Sequence, residues 1–162
     1  SGTNAQDKVE QCMEMAYAGL LDKLSYPLAY LTVPCQSAIE HGDLRWRAAP
    51  VIHSKEPFGL QLSSGSKKLY YSGDGKPTDE AEKLMTGCDL VIHEAYTLSD
   101  TLPTHCSVEE CIDMTDQLQL KHLALIHISA ETLRKRNRIT VLMNKSGLNR
   151  IFLAEEGKVI QL

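Results

Sequence analysis

Four short apolar runs, each closing on a reactive polar residue, constrain this chain more than any other feature. They are Val51-Ile52 before His53, Leu69-Tyr70-Tyr71 before Ser72-Gly73-Asp74, Leu90-Val91-Ile92 before His93-Glu94, and Leu123-Ala124-Leu125-Ile126 before His127. Short runs of aliphatic and aromatic residues bounded by turn signals read as strands. Strand ends gathered along one edge of a sheet are where α/β proteins build their sites, so these polar residues can converge. The glycines flanking Asp74 free the backbone to aim its carboxylate just past a strand end. Read singly, Gly73-Asp74-Gly75 is a turn and each histidine a hydrogen-bonded structural residue. The repeated placement of three histidines and two carboxylates points instead to a cation, because imidazole nitrogen and carboxylate oxygen are the ligand set of zinc and manganese hydrolases.

The remaining pattern surrounds these runs with helices. From Asp7 to Leu24, residues such as Val9, Cys12, Met13, Ala16, Tyr17 and Leu20 recur at helical spacing, predicting one buried face and an end at Tyr26-Pro27. Leu28 to Val33 reads as a strand and Gln36 to Gly42 as a polar link. Leu44 to His53, Phe58 to Leu62 and Leu69 to Tyr71, with a turn at Ser64 to Ser66, read as antiparallel hairpins. Pro77 to Met85 is a short helix. Ser107-Val108-Glu109-Glu110 is a capping box opening a helix to about Leu118. Thr132 to Met143 reads as a basic helix, and Arg150 to Ala154 and Lys158 to Gln161 as closing strands. With no repeat, low-complexity segment or linker, the expectation is one α/β domain over residues 1–162.

Composition narrows the setting. A net charge of −4 gives no general reason to expect nucleic acid or an anionic membrane as a partner. Five cysteines, an odd number with no Cys-x-x-Cys pair, argue for reduced thiols and a cytoplasmic location. No apolar run is long enough to span a bilayer and no signal-peptide pattern opens the chain. The opening Ser1-Gly2-Thr3, without methionine, implies that something has been removed ahead of it.

Taken in order, Val51-Ile52-His53, Ser72-Gly73-Asp74, His93-Glu94-Ala95-Tyr96, His105-Cys106-Ser107 and Leu125-Ile126-His127-Ile128-Ser129 resemble the C-terminal half of the metallo-β-lactamase superfamily, most of all its ribonuclease Z branch. The resemblance runs from the helix before Tyr26-Pro27-Leu28 to the strand at Ile151. It implies a metallo-β-lactamase-like αββα sandwich whose second half, a mixed sheet with covering helices, is represented here. It implies zinc, two ions in the complete enzyme, with manganese as the alternative. His53 would bind the first metal, Asp74 would bridge the two, and His127 would bind the second. It also implies that Glu94 orients His105, which contacts the scissile phosphate or protonates the leaving oxygen. His93 is expected to be structural.

Two departures shape the expected function. The superfamily's His-x-His-x-Asp-His cluster is absent and would precede Ser1. His53, Asp74 and His127 then supply about half of the ligands that two zinc ions need, so these residues alone should bind metal weakly and leave one sheet face uncovered. Ribonuclease Z enzymes that process transfer RNA carry a long RNA-grasping arm between the elements matching His53 and Asp74. Here Ser54 to Gly73 suffices only for a hairpin, and the basic run Arg134-Lys135-Arg136-Asn137-Arg138 reads as a solvated helix face. The expectation is a metal-dependent hydrolase using a metal-activated water, a phosphodiesterase acting on a smaller phosphodiester or another ester, with RNA not favoured. The alternatives are a transfer RNA 3′-end processing endonuclease, its RNA held by a partner subunit, and a non-catalytic half-domain serving structure or dimerisation. No membrane partner is expected; the expected assembly is a homodimer or association with the missing N-terminal half.

Overall fold

The structure, a computed structural model, describes residues 5–30, 34–35, 37–54 and 57–161. The chain divides into two compact units, Ser1–Thr32 and Val33–Leu162. In the first, α1 (Ala5–Ala16) is followed by a single turn, α2 (Leu20–Lys23). The helix expected to run unbroken from Asp7 to Leu24 therefore stops early. Gly19 takes a left-handed conformation at φ +69°, and the Glu14 carboxylate accepts its N–H at 2.9 Å. The face expected to be buried is largely open, with Val9 and Tyr17 exposed. Leu28 to Tyr30 is irregular rather than strand, and residues 31–33 of that predicted strand lie outside the described residues.

The second unit is organised on one sheet. The predicted polar link is instead a strand, β1 (Ala38–His41), hairpinned onto β2 (Leu44–Ile52), with Gln36 outside the described residues. The meander continues through β3 (Phe58–Ser64) and β4 (Lys67–Tyr71), all antiparallel, and β5 (Lys76–Pro77) pairs back onto the end of β2. After α3 (Asp79–Met85) the chain crosses over to β6 (Leu90–Glu94), parallel to β4. After α4 (Val108–Gln117) it crosses again to β7 (Leu123–Ile126), parallel to β6. The predicted basic helix forms as two, α5 (Ala130–Arg134) and α6 (Arg136–Lys145), which meet at Lys135 outside helical geometry (φ −96°, ψ 25°). Strand β8 (Ile151–Leu153) closes the sheet, and Lys158 to Gln161, expected as a strand, is irregular. The spatial order is β1-β2-β3-β4-β6-β7-β8.

Two consequences position the site. Since β2 and β4 are each antiparallel to β3, strand β2 runs in the same direction as β4, β6 and β7. The four C-terminal ends therefore share one edge of the sheet. The crossover helices all lie on one face, where Tyr70, Val91, Leu123 and Leu125 meet Leu84, Met85, Val108, Cys111 and Ile139 in a continuous core. The opposite face carries the rows Trp46-Leu62-Leu69 and Ala48-Leu60-Tyr71-Ile92-Ala124-Phe152. Leu60, Leu62, Leu69 and Ile92 are only half-buried there, and Tyr71 is exposed.

Candidate metal centre

Asp74 reaches the sheet edge through a tight exit from β4. Ser72 joins β4 to β6: its N–H donates to the Ile92 carbonyl at 2.9 Å, and its Oγ accepts the Glu94 N–H at 3.0 Å. Gly73 follows at φ +68°, where a side-chain carbon would stand 2.8 Å from the Phe58 carbonyl oxygen. Gly75 would meet the Ile52 carbonyl oxygen at 2.7 Å in the same way. Only glycine fits either position, and the pair throws Asp74 out between the ends of β2 and β7.

Each Asp74 oxygen then faces an imidazole Nε2. His53 Nε2 stands 3.7 Å from Oδ2 and His127 Nε2 stands 3.3 Å from Oδ1. A charge-assisted hydrogen bond closes to about 2.7–2.9 Å. Two ligands on one tetrahedral zinc, with bonds of about 2.0 Å, are separated by about 3.3 Å. The His127 spacing of 3.3 Å equals that separation and the His53 spacing of 3.7 Å is wider; neither closes to a direct charge-assisted hydrogen bond. His53 Nδ1 lies 3.1 Å from Ser54 Oγ, which leaves Nε2 as the nitrogen turned to Asp74. His127 occupies the left-handed region at φ +50°, a conformation that few residues other than glycine adopt.

Glu94 and His105 complete the cluster. The Glu94 side chain is fully buried, and Oε1 accepts the Cys106 N–H at 2.6 Å. Oε2 has no hydrogen-bond partner and lies 3.4 Å from His105 Nδ1, itself buried and unpartnered. Burial pushes the Glu94 carboxyl up to about 7, the Cys106 N–H opposing it. His105 Nδ1 is also 3.4 Å from Asp74 Oδ1. One potential ligand atom each from His53, Asp74 and His105 lies within 4.8 Å of the others. These imidazole nitrogens and carboxylate oxygens, two of them buried without a hydrogen-bond partner, are the donor set that suits a divalent cation of the zinc type.

A second cluster, His93, Cys106 and Cys111, is buried behind the site, again with one atom each within 4.8 Å. His93 Nδ1, 3.9 Å from Cys111 Sγ, donates to the Glu94 carbonyl at 2.7 Å, and the buried Nε2 has no hydrogen-bond partner. The hydrogen bond with Cys106, and then burial, hold the Cys111 thiol well above its usual range. Burial pushes His93 down to about 4 and so favours its neutral form.

The structure thus brings His53, Asp74, Glu94, His105 and His127 to one place. Residue reasoning missed Tyr96, whose ring stacks on His105 with centroids 4.8 Å apart and stands 5.7 Å from His127. An aromatic residue two places beyond the strand-end Glu94 was the available signal, but nothing local says where its ring turns. The basic run Arg134 to Arg138 lies on exposed helix surface, with Lys135 paired to Glu131 and Arg136 to Glu155.

Comparison with known proteins gives the family. Residues 9–128, well over half of the chain, match the beta-lactamase superfamily domain, and the chain belongs to that family. It is 28% identical over 117 residues to mitochondrial ribonuclease Z 2 of Schizosaccharomyces pombe, covering 68% of this chain and 17% of that one. The metallo-beta-lactamase fold protein YhfI from Bacillus subtilis superposes with a TM-score of 0.70 at 16% identity, covering 88% of this chain and 61% of that one. The short form of human tRNase Z gives 0.58 at 22% identity, over 76% and 45% of the two chains. The fold is that of the metallo-β-lactamases. The chain spans between 11% and 22% of the length of the curated relatives it matches. Among the described residues no helix is long and apolar enough to cross a membrane.

Proposed function

We propose that residues 1–162 carry the C-terminal share of a metal-dependent phosphodiesterase site. The observation behind this reading is the Asp74 carboxylate with one imidazole Nε2 against each oxygen, at 3.7 and 3.3 Å. That geometry suits a bridging carboxylate, with His53 on one cation and His127 on the other. Bound zinc or manganese would supply Lewis acidity toward a phosphoryl oxygen and a water of lowered pKa. His105 presents Nδ1 to the two carboxylates and keeps Nε2 for the substrate, where it donates a proton to the departing oxygen. Glu94 is the orienting group: its buried carboxylate sits against His105 Nδ1 and fixes which nitrogen faces outward. The half-bare sheet face suits association with a second copy or with an N-terminal half. The free cysteines suit a reducing, cytoplasmic setting.

A second reading is transfer RNA 3′-end processing, favoured by identity to a ribonuclease Z over 117 residues. The short β3–β4 hairpin and the net charge of −4 weigh against a built-in RNA grip. Zinc affinity of the protein and of Asp74→Ala, measured by competition with a chromophoric chelator, tests the site. A drop of at least tenfold is expected; equal affinities refute the bridging role. Turnover of bis-p-nitrophenyl phosphate against a transfer RNA precursor then separates the two enzymes. A chain that binds no zinc and turns over neither substrate even when supplied with an N-terminal half is a structural half-domain.

A further inference from the structure

We infer that Tyr96 is a positioning residue that sets where the imidazoles of His105 and His127 stand, an inference resting on the roles proposed above for those histidines. The ring is nearly parallel to His105, at 26° and 4.8 Å between centroids, and tilted 36° to His127 at 5.7 Å. One aromatic ring therefore packs against both imidazoles, which stand 5.9 Å from each other. The main chain of the same residue grips both histidine-bearing loops. Its N–H donates to the Cys106 carbonyl at 2.8 Å, one residue past His105. Its carbonyl accepts the Ser129 N–H at 3.1 Å, two residues past His127. The preceding Ala95 is pinned by its own N–H on the Ile126 carbonyl at 3.0 Å, so the sheet itself places Tyr96.

The polar contacts of these histidines are too loose to do this alone. His105 Nδ1 is 3.4 Å from each carboxylate and makes no hydrogen bond, and His127 reaches Asp74 only at 3.3 Å. Such contacts, the Glu94 carboxylate included, select which nitrogen of His105 faces outward but leave both rings room to librate about χ2. Offset stacking restricts that rotation, since tilting the ring loses the aromatic face. Tyr96 is exposed, at 37%, which sets it apart from the buried residues of the core. The contact is made by the ring, so phenylalanine preserves it and alanine removes it, while both keep the two main-chain hydrogen bonds.

The test uses the whole protein with Tyr96→Ala and Tyr96→Phe. In chelator, the imidazole C–H proton resonances of His105 and His127 are followed by NMR, with those of His41 and His122 as internal references. Tyr96→Ala should shift and broaden the first pair, leave the reference pair in place, and Tyr96→Phe should restore the parent pattern. With zinc and bis-p-nitrophenyl phosphate, Tyr96→Ala should lower kcat about three- to tenfold, the range one aromatic pair supports, with KM within about twofold. Tyr96→Phe should rescue kcat. Unmoved His105 and His127 resonances overturn the inference, as does an equal loss in both variants, which would assign the effect to the hydroxyl. If the parent shows no turnover even when supplied with an N-terminal half, the hydrolase reading fails and the resonances alone decide whether Tyr96 positions the two rings.

Discussion

His93 and Glu94 adjoin at the end of β6, both buried, and burial moves them in opposite senses. Glu94 rises from 4.5 to about 7, and His93 falls from 6.5 to about 4. Between pH 4.5 and 7 the folded chain keeps the Glu94 proton that the unfolded chain has lost. This contribution is therefore complete below 4.5 and lost as pH rises through 7. Between pH 4 and 6.5 the folded chain keeps His93 neutral while the unfolded chain protonates it. That contribution is complete above 6.5 and lost as pH falls through 4. Each gap, at about 1.4 kcal/mol per pH unit, is on the order of 3 kcal/mol. The two slopes cancel across their shared window. Glu94→Gln keeps an acceptor for the Cys106 N–H and removes one slope. In metal-free urea unfolding, the stability of Glu94→Gln relative to the parent should rise by about 3 kcal/mol from pH 4.5 to 7. His93→Asn should show the opposite trend. A Glu94→Gln difference constant within about 1 kcal/mol across that window refutes the argument that burial sets the Glu94 proton affinity.

Other perturbations reach the scaffold. Gly59→Ala would drive a methyl group into the buried Tyr70 ring and hydroxyl, and should cost about 1–3 kcal/mol or more in urea unfolding. Ser107→Ala removes the side chain that accepts the Glu110 N–H at 3.1 Å, and should lower stability by about 1 kcal/mol in the same assay. Met85→Ala empties a fully buried position between α3 and the sheet, and should cost about 2–5 kcal/mol by thermal or urea unfolding.

The parts of this fold legible in the sequence were those with a short-range cause. The capping box forms with both halves present, Ser107 Oγ accepting the Glu110 N–H and Glu110 Oε2 accepting the Ser107 N–H. The strand ends could be read because an apolar run that stops at a histidine or aspartate marks an edge of the sheet wherever the strand sits. What escaped was decided by partners far along the chain. Ala38 to His41 has few strand-forming residues and is a strand because β2 lies beside it. Lys158 to Gln161 has the composition of a strand, yet beyond Leu153 no sheet pairing engages it. The helical period over Asp7 to Leu24 held as far as Ala16, and the left-handed Gly19 then broke it before Leu20. At the centre, His53, Asp74 and His127 were readable as candidates because each terminates a strand. The Tyr96 stack was not, since ring orientation depends on loops that return from residues 105 and 127.

The outward rows of the sheet also govern how the molecule behaves in a tube. Aliphatic surface of this kind clings to its like by an attraction that is entropic near room temperature. Clustering then grows with warmth and with sulfate, while cold and small additions of urea disperse it. Scattering and sedimentation should accordingly change with dilution, and protein concentration becomes as much a variable of every experiment as temperature or pH.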